Sequence, residues 1–241
     1  ADILLAQIGT DNDDEAQEAL KSFKGDLNEK VNKALAEAKT NDRKEALLEL
    51  ASNRHIKSVA AQVLALCGSK DSDVAEEALK ALPNVVTDKN AADVAAKLDK
   101  ASQSQVKAYQ TALRASVASQ DAMTQYNTLS SEMKKASNQA RFYPVLATTG
   151  TEASVDELQG IWEKQKSSEA LEALKQCTNF KATIPLLKAA KAGDESALAK
   201  YVSLVKQWET NTDSRSAKLV EALNIAKSNE SKANVLSALA T

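Results

Sequence analysis

A short apolar pattern, Ala-x-x-Ala-Leu or a relative of it, returns along the chain at Ala16 to Leu20, Ala46 to Leu50, Ala75 to Leu79, Ala108 to Leu113, Ala140 to Leu146, Ala170 to Leu174, Tyr201 to Leu204 and Ala233 to Leu236. The last leucines of these segments are 30, 29, 34, 33, 28, 30 and 32 residues apart, a period of about 31. Each interval also holds a second amphipathic segment, at Val31 to Ala38, Val59 to Cys67, Ala91 to Leu98, Tyr126 to Met133, Val155 to Trp162, Ile184 to Ala190 and Leu219 to Ala226. Within both kinds of segment apolar residues fall at i, i+3, i+4 and i+7, as in Val59, Val63 and Leu66. That spacing predicts two helices per period and no strand.

Stop and start residues keep the same beat. Gly9, Gly25, Gly68, Gly150 and Gly193 each follow an apolar run, where a left-handed helix end is least costly for glycine. Asp11, Asn41, Asp42, Ser72, Asp121, Thr151, Ser167 and Ser228 precede the next run as candidate N-caps. Pro83 is placed to close one helix, Pro185 to enter the first turn of another, and Pro144 to kink or delay the segment from Ala140. Gly160 alone lies inside a predicted helix, where it is expected to mark a close helix contact.

A pair of helices this short cannot bury its apolar stripe alone, whereas stacked pairs share one continuous core. The pattern therefore predicts an all-α chain of roughly 15 antiparallel helices over about three quarters of its length. The expected arrangement is a right-handed α-α superhelix, an α-solenoid of about seven to eight helix pairs. Residues 1–241 read as a single domain, with no linker or low-complexity tract. The repeat is interrupted and not capped at Ala1 and Thr241, so a longer parent chain is expected.

Composition agrees: of 241 residues 43 are Ala and 27 Leu, with only 6 Gly and 3 Pro. Alanine and leucine lose least on entering a helix, and alanine lets helices approach closely. With 31 basic and 33 acidic residues the net charge is -2, and only five of the basic residues are Arg. No field that attracts a polyanion arises from that balance, so nucleic acid is not an expected partner. The longest apolar stretch, about nine residues from Val59 to Cys67, is interrupted by Gln62 and falls short of the roughly 20 a membrane span needs.

A helix pair of about 30 residues, with Ala and Leu on its first helix and Asp or Ser at the turn, resembles HEAT or armadillo-like repeats, and the resemblance covers nearly the whole chain. The stretch from Ala197 to Leu239 is more narrowly similar to the HEAT-like arrays of Bacteroidetes envelope or secreted proteins. It contains Val205, Lys206, Gln207 and Trp208, a turn at Asp213 and Ser214, the helix Leu219 to Ala226, and Lys232 to Leu236. In some of those relatives the array is joined to a 3-keto-disaccharide hydrolase domain, which this chain does not contain. The resemblance implies a secreted or periplasmic location, and the enzymatic activity of such relatives does not carry over to this chain.

Catalytic side chains are scarce. His55 follows Ser52, Asn53 and Arg54 and reads as a solvated turn residue. Cys67 and Cys177 lack metal-site spacing and read as small buried apolar residues, too far apart for a disulfide if the pairs stack in order. The acids at Asp11, Asp13, Asp14 and Glu15, and at Asp71 and Asp73, read as helix-start charges, since the first group lacks the Gly and Glu of a calcium loop. No catalytic residue, cofactor site or metal site is expected. Aromatics crowd the second half, and Tyr143, Trp162, Tyr201 and Trp208 are the candidate partner-binding residues.

The expected function is a non-catalytic interaction or scaffold module whose concave surface holds a protein partner or an adjacent domain. A carbohydrate-associated module supporting a sugar-active enzyme is the alternative. A HEAT-type nucleic-acid enzyme is the third reading, opposed by the near-neutral charge.

Overall fold

In the computed structural model, which describes residues 1–240, helices take up 76% of the chain and no strand occurs among the described residues. Sixteen α-helices follow in order: α1 (Asp2–Gln7), α2 (Asp13–Ser22), α3 (Asn28–Glu37), α4 (Asn41–Asn53), α5 (Ala60–Leu66), α6 (Ser72–Val85), α7 (Ala91–Lys100) and α8 (Val106–Val117), then α9 (Ala122–Lys135), α10 (Tyr143–Ala147), α11 (Glu152–Gln165), α12 (Ser168–Leu174), α13 (Thr183–Lys191), α14 (Glu195–Trp208), α15 (Thr212–Ile225) and α16 (Asn229–Leu239). Single 3-10 turns lead into α5, α7, α10 and α13. Two compact units form, one from Ala1–Asp121 with Ser131–Arg141, the other from Ala122–Ser130 with the chain from Phe142 onward.

Inside each unit many helices pack on the next in sequence or on the next but one. In the first, α2 meets α4, α4 meets α6 and α6 meets α8, while α3, α5 and α7 each lie against the helix that follows. In the second, α10 meets α12 and α14 meets α16, with α11, α13 and α15 again against their successors. The recurring leucines are the keys to this packing: Leu20, Leu50, Leu113, Leu146, Leu174 and Leu204 are at most 1% exposed. Leu79 is half-buried because α6 turns Leu82 inward in its place.

Several side-chain donors tie together segments about 30 residues apart. Gln17 donates to the Ala46 carbonyl at 3.1 Å, Gln62 to Asn32 at 3.0 Å and Gln110 to Arg141 at 2.7 Å. In the second unit Asn179 donates to Gly150 at 3.0 Å and Trp208 to Thr178 at 2.9 Å. The partners in these five bonds are 29, 30, 31, 29 and 30 residues apart.

Three of the five arginines close helix C-termini, whose last carbonyls have no partner in their own helix and carry partial negative charge. Arg43 donates to the Ile8 and Leu5 carbonyls at the end of α1, at 2.6 and 3.0 Å. Arg54 donates to Lys21 in the last turn of α2 at 2.7 Å, and Arg141 to Leu98 and Asp99 at the end of α7, at 2.9 and 2.8 Å. Arg43 reaches its carbonyls because Gly9, at φ +72°, lets the chain pass so close that a Cβ there would lie 2.5 Å from the Arg43 Cα.

Helix starts follow the expected chemistry with small displacements. Thr151, Ser167 and Ser228 cap α11, α12 and α16 through their side chains, as the sequence predicts. Thr40 and Asp71 cap α4 and α6, one residue before the expected positions, and Asp194 and Asn211 cap α14 and α15. Burial pushes the Asp194 carboxyl up, but the hydrogen bonds from Lys175 and the Ala197 N–H outweigh it and hold the group at about 2.

Two expectations need correction. Pro83 does not close α6, which runs on to Val85, because the missing N–H falls in the last turn and buried Leu82 and Val85 keep the stripe inward. Lys57 then covers the freed end by donating to the Asn84 carbonyl at 2.7 Å. Gly160 marks no close contact, since a Cβ there would meet nothing within 4 Å. Pro144 delays its helix as expected: the chain makes a 3-10 turn over Gln139–Phe142 and α10 starts beside the proline.

Replacing Arg43 by Ala is expected to lower stability by about 1–3 kcal/mol in urea unfolding, with Lys recovering only part because it lacks the planar fork. Gly160→Ala is expected to raise the unfolding free energy by about 0.5–1 kcal/mol, since nothing obstructs the added methyl and the unfolded chain loses freedom.

Candidate functional site

The four candidate aromatics have different surroundings. Tyr143 and Tyr201 are 3% and 2% exposed and belong to the core of the second unit. Burial pushes both phenols up, that of Tyr201 to about 12 with help from the Glu221 charge. Neither ring is available to a ligand on the surface of the unit.

Trp162 is half-buried on α11, and the Lys188 ammonium of α13 stands 5.9 Å from its ring centroid. Lys188 in turn pairs with Glu163 at 2.7 Å, and Gln159 donates to the same carboxylate at 3.2 Å. Ile184, one turn before Lys188, is 61% exposed, so an apolar side chain, a cation and an indole edge are presented together by α11 and α13. Trp208 ends α14 with 51% of its surface exposed and its indole N–H donated to Thr178. It is the most open of the four rings, and that bond fixes its orientation.

The other chemistry-bearing residues occupy structural places. His55 is exposed at φ +51° just after α4, where the Ile56 N–H reaches back to the Ala51 carbonyl at 2.9 Å and closes the helix end. Cys67 and Cys177 are buried free thiols, each pushed up to about 11 by burial. Both are protonated near neutral pH and so are weak nucleophiles. Asp13, Asp14 and Glu15 fill the first turn of α2, Asp13 accepting the Gly9 N–H at 2.8 Å, while Asp71 caps α6 and Asp73 follows in its first turn. Among the described residues no group of three or more His, Cys, Asp or Glu side chains could hold a metal ion.

One feature escaped the whole-chain charge count because it is confined to three helices. In the first unit α2 carries Asp13, Asp14, Glu15 and Glu18, α4 carries Asp42, Glu45 and Glu49, and α6 carries Asp73, Glu76 and Glu77. Lys21, Arg43, Lys44 and Lys80 on the same helices offset part of this charge, Lys80 standing 3.0 Å from Glu76 and Lys21 3.8 Å from Glu49. Glu45 sits half-buried amid this charge, and burial with the nearby Asp73, Asp71, Asp42 and Glu77 raises its carboxyl above the usual range. On the intervening helices an open groove of about 460 Å³ between α5 and α7 is floored by Ala61, Leu64, Ala65 and Ala96 and rimmed by Asp93, Lys97 and Lys100. The unit thus presents an acidic row of helices beside helices α3, α5 and α7 that carry no net charge.

Comparison of the chain with protein-family models, curated proteins and solved structures finds no match in any of the three.

Because the folded state takes up the Glu45 proton more readily than the unfolded chain does, its charge destabilises the fold at neutral pH. Glu45→Gln is expected to be more stable than the parent at pH 7 by less than about 1 kcal/mol. That advantage should shrink as pH falls through the raised value toward the ordinary glutamate range, which urea unfolding at several pH values would read.

Proposed function

We propose that the chain is a non-catalytic interaction module of the HEAT-like kind, a right-handed superhelical stack of helix pairs offering an extended surface to a protein partner or an adjoining domain. The observation that carries this reading is the set of side-chain to backbone bonds whose partners lie 29, 30, 31, 29 and 30 residues apart. Bonds at one repeat distance are what stacked, quasi-equivalent pairs require. The acidic row on α2, α4 and α6 adds a reason to favour a protein over a polyanion, which that charge would repel.

The carbohydrate-associated reading keeps one specific support, the half-exposed and oriented indole of Trp208, since aromatic faces stack on sugar rings. The two readings separate in solution. The interaction module is expected to bind labelled helical peptides saturably and with salt sensitivity in fluorescence anisotropy, with the same affinity after Trp208→Ala. A saturable change of tryptophan emission on adding neutral oligosaccharides, abolished by Trp208→Ala, would favour the carbohydrate reading. Absence of peptide binding across acidic, basic and neutral sequences would overturn the first.

A further inference from the structure

Ile184 is 61% exposed although its helix stands at no edge of the second unit, since α13 pairs with α11 on one side and with α15 on the other. Two rungs of ion pairs set its level against α11. Lys181, in the turn leading into α13, stands 2.6 Å from Asp156, and Lys188 stands 2.7 Å from Glu163, so residues 25 apart face each other. By that register Ile184 lies level with Gln159 and Gly160, midway between the rungs.

Helix geometry turns both residues outward. At about 100° per residue, Gly160 stands about 170° around α11 from the mean direction of buried Ser154, Val155 and Leu158. Ile184 stands about 170° around α13 from that of Thr183, Pro185, Leu186, Ala189 and Ala190. A glycine inside a helix is destabilising relative to alanine, and no contact among the described residues accounts for this one, because a Cβ at Gly160 would meet nothing within 4 Å. The outer face thus carries a shallow dip on one helix beside an apolar knob on the next.

Taking the chain as an interaction module, we propose that the window between the two rungs is the docking site for a helix of a partner protein, laid across α11 and α13 with an uncharged side toward them. The rungs are seven residues apart, about 10 Å along the helix, which is about the width of one helix with its side chains. Their charges are already matched inside the unit, Lys181 by Asp156 and Lys188 by Glu163 and by the Trp162 ring 5.9 Å away, so the occupant needs no counter-charge. An apolar side chain of that helix settles over Gly160, where the missing Cβ allows close approach, and small residues surround Ile184. The paired charges form the polar border that keeps water from an apolar anchor.

The probe is a labelled helical peptide of about 18 residues with leucine on one face, alanine and glutamine elsewhere, and one lysine and one glutamate at each end, titrated with the 241-residue chain in fluorescence anisotropy. The expected result is saturable binding whose Kd changes less than about twofold between about 50 and 500 mM NaCl. Ile184→Glu and Gly160→Leu are each expected to weaken it at least tenfold. Val220→Glu, which places the same charge at an exposed apolar position on α15, is expected to leave it unchanged, and thermal melts confirm that each variant is folded. No binding, binding indifferent to Ile184→Glu or to Gly160→Leu, equal loss in Val220→Glu, or an affinity that falls steeply with salt would each overturn the proposal. Salt-sensitive binding of charged peptides that ignores Ile184→Glu would leave the interaction reading standing while this site fails.

Discussion

The structure depends on a shortage of apolar surface within each helix pair. Two helices of this length offer one stripe of alanine and leucine too narrow to form a core, so they must find cover on other helices. Within each unit much of it comes from helices near in sequence, as between α4 and α6 or α14 and α16. Alanine lets the backbones come close, and the buried leucines fill the space that remains. Six of the recurring leucines are essentially removed from solvent. Since deleting a well-packed core leucine side chain costs about 2–5 kcal/mol, these positions set the local order of each unit.

Apolar contact alone would leave neighbouring helices free to slide, because small residues of similar size repeat along them. Polar groups fix the register. The amide donors of Gln17, Gln62, Gln110 and Asn179 each find a backbone carbonyl 29, 30, 31 and 29 residues away. The guanidinium groups of Arg43, Arg54 and Arg141 fasten onto helix ends. These bonds are directional, so a shift by one residue breaks them while leaving the buried apolar area little changed. Scarcity of arginine in the composition thus reflects a specific use, since most of the few present hold a helix terminus.

The helices were legible in the sequence because their signal is periodic and local: apart from Ala38, Cys67 and Ala226, each one residue past a helix end, the predicted segments lie in a helix or its leading turn. Caps were legible to within a residue, as Thr40 and Asp71 show, because several polar residues cluster at each turn and only geometry selects among them. Gly160 was misread because a glycine inside a helix looks the same whether a neighbour presses on it or none does. The candidate aromatics were the least legible. Tyr143 and Tyr201 differ from Trp208 only in which side of a helix they occupy, and at a helix that is covered on both flanks the apolar stripe no longer tells the two sides apart. The acidic excess on α2, α4 and α6 was present in the sequence but vanished in the sum over the whole chain.

The two sequestered thiols give the molecule an internal reporter. Cys67 belongs to one compact unit and Cys177 to the other, and each is shut off from solvent in its resting state. A thiol of this kind reacts with an alkylating reagent only during moments when its surroundings come apart. Each unit therefore carries its own clock for fraying, and the two reaction rates separate the breathing of one half from that of the other without any added label.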